Sequence, residues 1–393
     1  MTVETAVTVD ISRHIDLKTF GQMTQLMQET GVVDYVHMSD QLVSWFPREM
    51  WTPANTPMAT VVGDIDSFPD PFVLGAYGLA SAPDVGVSLT TDSLRRGAPE
   101  LAQTLLTLSN LSNRPPILQM GAGEIKQCKP FGHRRSQGLS RLEDQYRAFN
   151  AFWSSTEPFD LTGNHLDYRR AWIGGARGKR PRFWGLGGGP QFFDITTSHA
   201  DGIGTAVPFV WANAEQAAEE IARHKQTLER KGRNPEEFTF GIWAVCALHE
   251  DPEVLDRARR NPLLRWLSAI FGRLNQADWL KEGLTPPFPV DWHYALKLLP
   301  MDLTARQVHD VIDPISDEVI KKSWFSGSPA QVAAEFQAYV DAGVDWLQVY
   351  DILPIYLQPE EAATAHLRSI EVCRILKANA GAIRDEPALG VRA

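Results

Sequence analysis

The run Gly121-Ala-Gly-Glu124 puts three small residues before a carboxylate. Residues without bulk let a flat ring or a phosphate approach the backbone closely. An acidic side chain beside them could then transfer a proton at the mouth of a fold that holds it there. Read alone, the pattern is short, and a tight turn with an exposed Glu has the same letters. Gly187-Gly188-Gly189, followed by Pro190, is a second such place. Three glycines in a row cost backbone entropy, so close approach to a ligand explains them better than a simple turn. Lys126, Lys129, His133, Arg134 and Arg135 fall within ten residues, and Arg95 and Arg96 are adjacent. On an acidic chain such clusters suit an anionic small molecule or a solvated loop. His14, just past the first apolar run, is a candidate base set against an exposed helix start.

Elements must position these residues, and one local pattern recurs. A helical stretch ends in Gly or Asp, and a short apolar run follows. Gly31 leads into Val32–Val36, Gly202 into Ile203–Val207, and Gly343 into Val344–Tyr350. Glycine takes the left-handed conformation at a helix end cheaply. Short runs rich in β-branched residues suit strands buried on both faces. Ala6–Asp10, Val85–Thr90, Ile117–Gly121, Arg182–Leu186 and Phe238–Leu248 bring the strand count to eight. Helices are expected over 16–30, 98–111, 139–154, 211–231, 251–272, 329–342 and 359–378, with Asn213 as an N-cap. Strands alternating with helices and no break in composition predict a single (β/α)8 barrel over residues 1–393. Two segments depart from the alternation: 47–70, rich in Pro, Thr and Asp, and 273–325, with five prolines among helical pieces. Long insertions are often lids or binding loops. The first is expected on the catalytic face and the second folded back over it.

Composition narrows the classes. A net charge of −10 over 393 residues disfavours nucleic acid, which needs a basic face. The three cysteines, Cys128, Cys246 and Cys373, are far apart and show no metal-ligand spacing, so a reducing compartment and no metal are expected. The first residues lack the pattern of a secretory signal, and no run is long and apolar enough for a membrane span. A cytoplasmic protein acting on a small molecule is the expectation. The chain carries twelve tryptophans, and Trp45, Trp51 and Trp292 serve either core packing or a pocket wall.

In order along the chain, several segments resemble the luciferase-like monooxygenase superfamily, within it the branch that uses the deazaflavin coenzyme F420. The run from Gly121 continues through Ile-Lys-Gln-Cys-Lys-Pro-Phe-Gly132, and Arg141-Leu-Glu143 opens a helix. Ser39-Asp-Gln-Leu-Val-Ser-Trp-Phe-Pro47 is similar to the segment after the family's second strand. Gly86–Asp92 with Ala98-Pro99 is similar to its third strand and helix. Gly185–Pro190 through Gly202 is similar to its fifth-strand glycine turn, and Phe325–Ala330 through Val344 to its closing helix. The resemblance implies the same barrel and, around Phe325–Pro329, is nearest to F420-dependent ketoreductases of lipid-like ketones.

By that resemblance, Glu124 is the acidic residue beside the cofactor ring, and Asp40 contacts the deazaflavin. Ala122, Gly123 and Gln127 are cofactor contacts, and the Gly187–Gly189 amides receive the phosphate side. Ser88-Leu89 is the site of a non-proline cis peptide against the ring, a bond costing about 3–4 kcal/mol. The pocket for an apolar substrate falls to Gln41, Trp45 and Trp292. Alcohol-oxidising members have His after the Asp; this chain has Gln41, which cannot take a proton at neutral pH. Either His14 on the same barrel face is the base in its place, or the reaction is reduction of a ketone or activated double bond, the expected one, with Glu124 as proton donor if burial raises its pKa. FMN, with dioxygen and a partner flavin reductase, is the alternative cofactor, and a non-catalytic flavin-binding barrel is the third reading. The resemblance also implies a homodimer.

Overall fold

A computed structural model describes residues 3–174 and 179–381. Eight parallel strands close on themselves: β1 (Glu4–Thr8), β2 (Tyr35–Ser39), β3 (Gly86–Asp92), β4 (Ile117–Gly121), then β7 (Arg182–Leu186), β8 (Gly202–Val207), β9 (Thr239–Leu248) and β11 (Trp346–Asp351). β8 pairs with β9, β9 with β11, and β11 with β1, which removes every edge from the ring. Between β4 and β7 an antiparallel hairpin, β5 (Phe159–Thr162) and β6 (Asp167–Ala171), stands apart from it. A three-residue strand, β10 (Phe325–Gly327), adds to the far end of β9. All eight barrel strands fall on the apolar runs that the sequence marks.

Helices surround the ring: α1 (Lys18–Thr30), α2 (Pro71–Ser81), α3 (Ala98–Leu111), the short α4 (Ile125–Cys128), α5 (Gly138–Ser154), α6 (Pro190–His199) and α7 (Ala214–Arg230). Asn213 caps α7 as expected, accepting from the Gln216 amide. The helix expected over 251–272 is two, Pro252–Arg259 and Pro262–Phe271. Pro262 lacks an N–H and disfavours helical backbone at Asn261, whose side chain caps the second piece instead. The helix expected over 359–378 likewise divides into Pro359–Ala362 and His366–Asn379. α2 was not expected, because its apolar residues show no clear face; Asp70 as N-cap with Pro71 at the first position was the available signal.

Two large apolar cores result, and a small third cluster of Ala6, Tyr35, Ile117, Trp184 and Trp346 fills part of the barrel interior. One lies between the strands and the ring of helices. The other joins Phe46 and Met50, the helices from 252 to 321, Trp324, and residues 352–365. These segments follow the C-terminal ends of β2, β9 and β11, so the second core forms a cap on that side of the barrel. Inside the ring the filling is partly polar. Ser88 Oγ is 3.1 Å from His37 Nδ1 and accepts from Gln119 Nε2 at 3.0 Å, and Gln119 Oε1 accepts from Trp243 Nε1 at 2.9 Å. Burial holds the His37 imidazole neutral, with its pKa lowered to about 3.

Candidate active site

A cavity of about 1100 Å³ opens where the barrel mouth meets the cap, and its lining is mostly apolar. Strand ends supply Asp10, Asp40, Thr90, Gly121 and Leu186, while the cap supplies Trp45, Phe271, His293, Tyr294 and Trp324. The segment 47–70 adds Trp51, Met58, Val61, Val62, Ile65 and Phe68. Both insertions therefore border the same space.

One wall is built from glycine and charge. Gly187 and Gly189 have φ of 147° and 97°, and a Cβ on Gly188 would lie 2.9 Å from Leu274. Gly189 stands before α6, whose first turn has no side-chain cap and faces the cavity through Gly189–Phe192. Such an end attracts anions. Across from it, Gly138 at the start of α5 packs so tightly on the Ala122 carbonyl that no side chain fits there, which fixes the Gly121–Glu124 turn.

Glu124 is half-buried in this wall. Lys126 Nζ lies 2.9 Å from its carboxylate, without an aligned hydrogen bond to that oxygen. The Tyr294 hydroxyl lies beside it too, and burial pushes the phenol well above its usual pKa. Lys126 is fully buried, donates to Gln41 Oε1 at 2.8 Å and to the Val43 carbonyl at 2.7 Å, and sits 4.6 Å over the Trp45 ring. Burial lowers its pKa while Glu124 opposes the shift. The burial that would suit Glu124 as a proton donor thus comes with an ion pair. The basic cluster divides: Lys126 and Arg135 turn inward, whereas Lys129 and Arg134 are exposed. Arg135 lines the cavity, and its Nε is buried with no partner among the described residues.

Asp40, Gln41, Trp45, Ala122, Gly123, Glu124, Gln127 and Gly187–Gly189 all border the cavity. Two of them have their polar atoms engaged within the chain. Asp40 is buried among Arg95, Arg96 and Thr91 Oγ1, the last at 2.8 Å. Gln127 accepts from the Leu42 and Val43 amides and donates to the Val43 carbonyl and to Gln41.

Four expected site residues lie elsewhere. Ser88 and Leu89 are fully buried four and three residues before the end of β3, one in the barrel's polar filling and the other toward the helices. Their peptide is trans; the cis bond among the described residues is Val207-Pro208. β3 reaches the cavity with Thr90, Thr91 and Asp92 instead. His14 is exposed, outside the lining, because the chain turns outward after Ser12. Trp292 stacks on Phe288 at 3.8 Å and belongs to the cap core.

The sequence reading missed Asp10. It lines the cavity two residues past β1, open to water yet set deep among protein atoms. Burial raises its pKa to about 6, and the Tyr350 hydroxyl beside it pulls the other way. Asp351, at the end of β11, is raised to about 7 by burial, against the Leu353 and Leu248 amides that its Oδ1 accepts. An isolated Asp at a strand end carries no local signal; the packing around it creates the shift.

A closed parallel barrel with a glycine-walled, mostly apolar cavity at the C-terminal strand ends defines a cofactor-type barrel enzyme site. Residues 7–346 match the sequence profile of the luciferase-like monooxygenase family, and the chain belongs to that family. It is 24% identical over 355 residues to a phthiodiolone/phenolphthiodiolone dimycocerosates ketoreductase from Mycobacterium kansasii, covering 88% of this chain and 95% of the relative. An F420-dependent glucose-6-phosphate dehydrogenase from Kineococcus radiotolerans is 24% identical over 278 residues, with 67% and 70% covered. Among solved structures, an F420-dependent secondary alcohol dehydrogenase bound to an F420-acetone adduct superposes with a TM-score of 0.67 at 14% identity, over 89% of this chain and 94% of that one. Among the described residues, no helix is long and apolar enough to cross a membrane.

Proposed function

We propose that the chain is a coenzyme F420-dependent oxidoreductase that reduces a ketone or activated double bond in an apolar small molecule. The observation that carries this reading is the two-sided cavity. One side is a glycine wall with an open helix start and an unpartnered Arg135 Nε; the other is apolar and holds a carboxyl, Asp10, poised near neutral pH. The F420-dependent glucose-6-phosphate dehydrogenase and the F420-dependent alcohol dehydrogenase structure support the cofactor, and the ketoreductase relative supports the reduction.

The donor set fits such a cofactor. The α6 start and Arg135 suit its anionic side, Ala122 and Gly123 leave room for a flat ring, and Glu124 with Lys126 borders it. When bound in its reduced form, the deazaflavin supplies a hydride. The protein's own part is to bind and orient the substrate, exclude water with the cap, and deliver a proton. Asp10 is the proton donor in this reading, because an acid with a pKa near the working pH serves best. Glu124, paired with an ammonium group, acts on the charge of the ring's surroundings.

FMN is the second reading, favoured by the family itself, since a single phosphate also suits the α6 start. Fluorescence titration of the purified chain with each cofactor separates them. F420 binding with no comparable FMN binding is expected; tight FMN binding alone sinks the F420 reading. A homodimer rests on resemblance, and light scattering tests it.

A further inference from the structure

The position after Asp40 holds an amide that cannot turn over. Gln41 Oε1 accepts from Lys126 Nζ at 2.8 Å and from Gln127 Nε2. An ammonium group has donors only, so an amide oxygen, never an amide nitrogen, must face it. The two partners are fixed in turn. Lys126 also donates to the Val43 carbonyl at 2.7 Å and lies 2.9 Å from Glu124. Gln127 accepts from the Leu42 and Val43 amides at 2.9 and 3.2 Å and donates to the Val43 carbonyl at 2.8 Å. Reversing Gln41 would set its NH2 against two donors. Its nitrogen therefore points away from this cluster. Gln41 borders the cavity, and that nitrogen has no hydrogen-bond partner among the described residues and is not buried.

We propose that the Gln41 amide N–H receives the carbonyl oxygen of the substrate and stabilises the charge that develops on it; this rests on the reductase reading above. As hydride adds to the carbonyl carbon, the C=O π pair moves onto oxygen. A donor held in place before the reaction binds that developing oxyanion better than the ketone. The oxygen then takes the proton from Asp10, so the ketone is reduced to an alcohol while the reduced deazaflavin is oxidised. β1 and β2 are adjacent and parallel, with Thr8 opposite His37, so Asp10 and Gln41 follow neighbouring strands at the same end of the barrel, and both border the cavity. Lys126 and Gln127 are positioning residues: they act through the amide that they orient.

The test compares wild type with Gln41→Glu and Gln41→Leu. The Glu variant is nearly isosteric, keeps an oxygen toward Lys126 and Gln127, and offers the cavity an acceptor in place of a donor. Methyl nonyl ketone labelled with carbon-13 at its carbonyl is the probe. With oxidised F420 bound, so that no turnover occurs, the infrared carbonyl band of the bound ketone is expected below its position in hexane. In both variants it is expected to return toward that position. With reduced F420, kcat is expected to fall about 10²–10³-fold in both, the scale of losing one such donor, while F420 affinity stays within about twofold. A band equally lowered in wild type and Gln41→Leu, or unchanged kcat in that variant, overturns the assignment and leaves the reductase reading standing. Absence of F420 binding by wild type overturns both.

Discussion

The barrel mouth and the cap border one cavity but are built in different ways. At the mouth, parallel register fixes each strand end, and the interior hydrogen-bond chain from His37 through Ser88 and Gln119 to Trp243 ties four strands together. The glycines and charged groups of the cavity wall stand on that frame. The cap is assembled from segments hundreds of residues apart, held by aromatic packing around Trp266, Trp279 and Trp324. Contacts that join the two include the Tyr294 hydroxyl beside Glu124 and the Trp45 ring over Lys126, with the Trp45 carbonyl accepting from Trp266 Nε1 at 2.8 Å. On the proposed function the mouth sets cofactor geometry and the cap sets substrate fit, so changes in the two should separate in their effects.

The largest expected effect is chemical. Asp10→Asn should lower kcat for reduction by about 10²–10⁴-fold, the range of a lost general acid. Because the Asp10 pKa is raised to about 6, wild-type kcat should be level below that pH and fall above it, as the acid form is lost. The limb should vanish in Asp10→Asn and persist in Asp351→Asn, whose carboxyl is engaged with backbone amides. A pH–rate profile of the three proteins decides this. A limb that survives in Asp10→Asn moves the acid elsewhere.

Next comes the cap core. Trp266→Ala should destabilise the chain by about 3–5 kcal/mol, since it removes a fully buried indole. In denaturant melts this should be a clear fall in midpoint, and in assays KM should rise while F420 affinity holds. Loss of F420 binding at unchanged KM would break the division between the two regions.

A mouth change should do the reverse. A Cβ on Gly188 would crowd Leu274 at 2.9 Å and Val210 at 3.1 Å. Gly188→Val is expected to weaken F420 binding at least about tenfold, or about 1.4 kcal/mol, measured by fluorescence titration. The smallest effect belongs to Trp292→Ala, which removes a half-buried ring stacked on Phe288. A stability loss of about 1 kcal/mol with unchanged kcat is expected; a rise in KM would return Trp292 to the pocket.

The sequence by itself determined the eight strands, most of the helices and the places of glycine. Each is a local matter: apolar runs, caps and backbone freedom are written in neighbouring residues. It also located the Gly121–Glu124 and Gly187–Gly189 turns and pointed to both insertions. Tertiary structure alone decided what surrounds those residues. Ser88-Leu89 falls short of the cavity, which β3 reaches at Thr90, because a strand pattern shows alternation but not where the strand meets open space. His14 is exposed and Asp10 is in the cavity because the chain turns between them, and no periodicity marks that turn. The hairpin β5–β6 escaped notice since its polar, exposed alternation lacks a buried face. Above all, Lys126 looks in sequence like one of a solvated basic cluster. Only folding buries it between Glu124 and Gln41, because burial and pairing depend on residues that are remote along the chain.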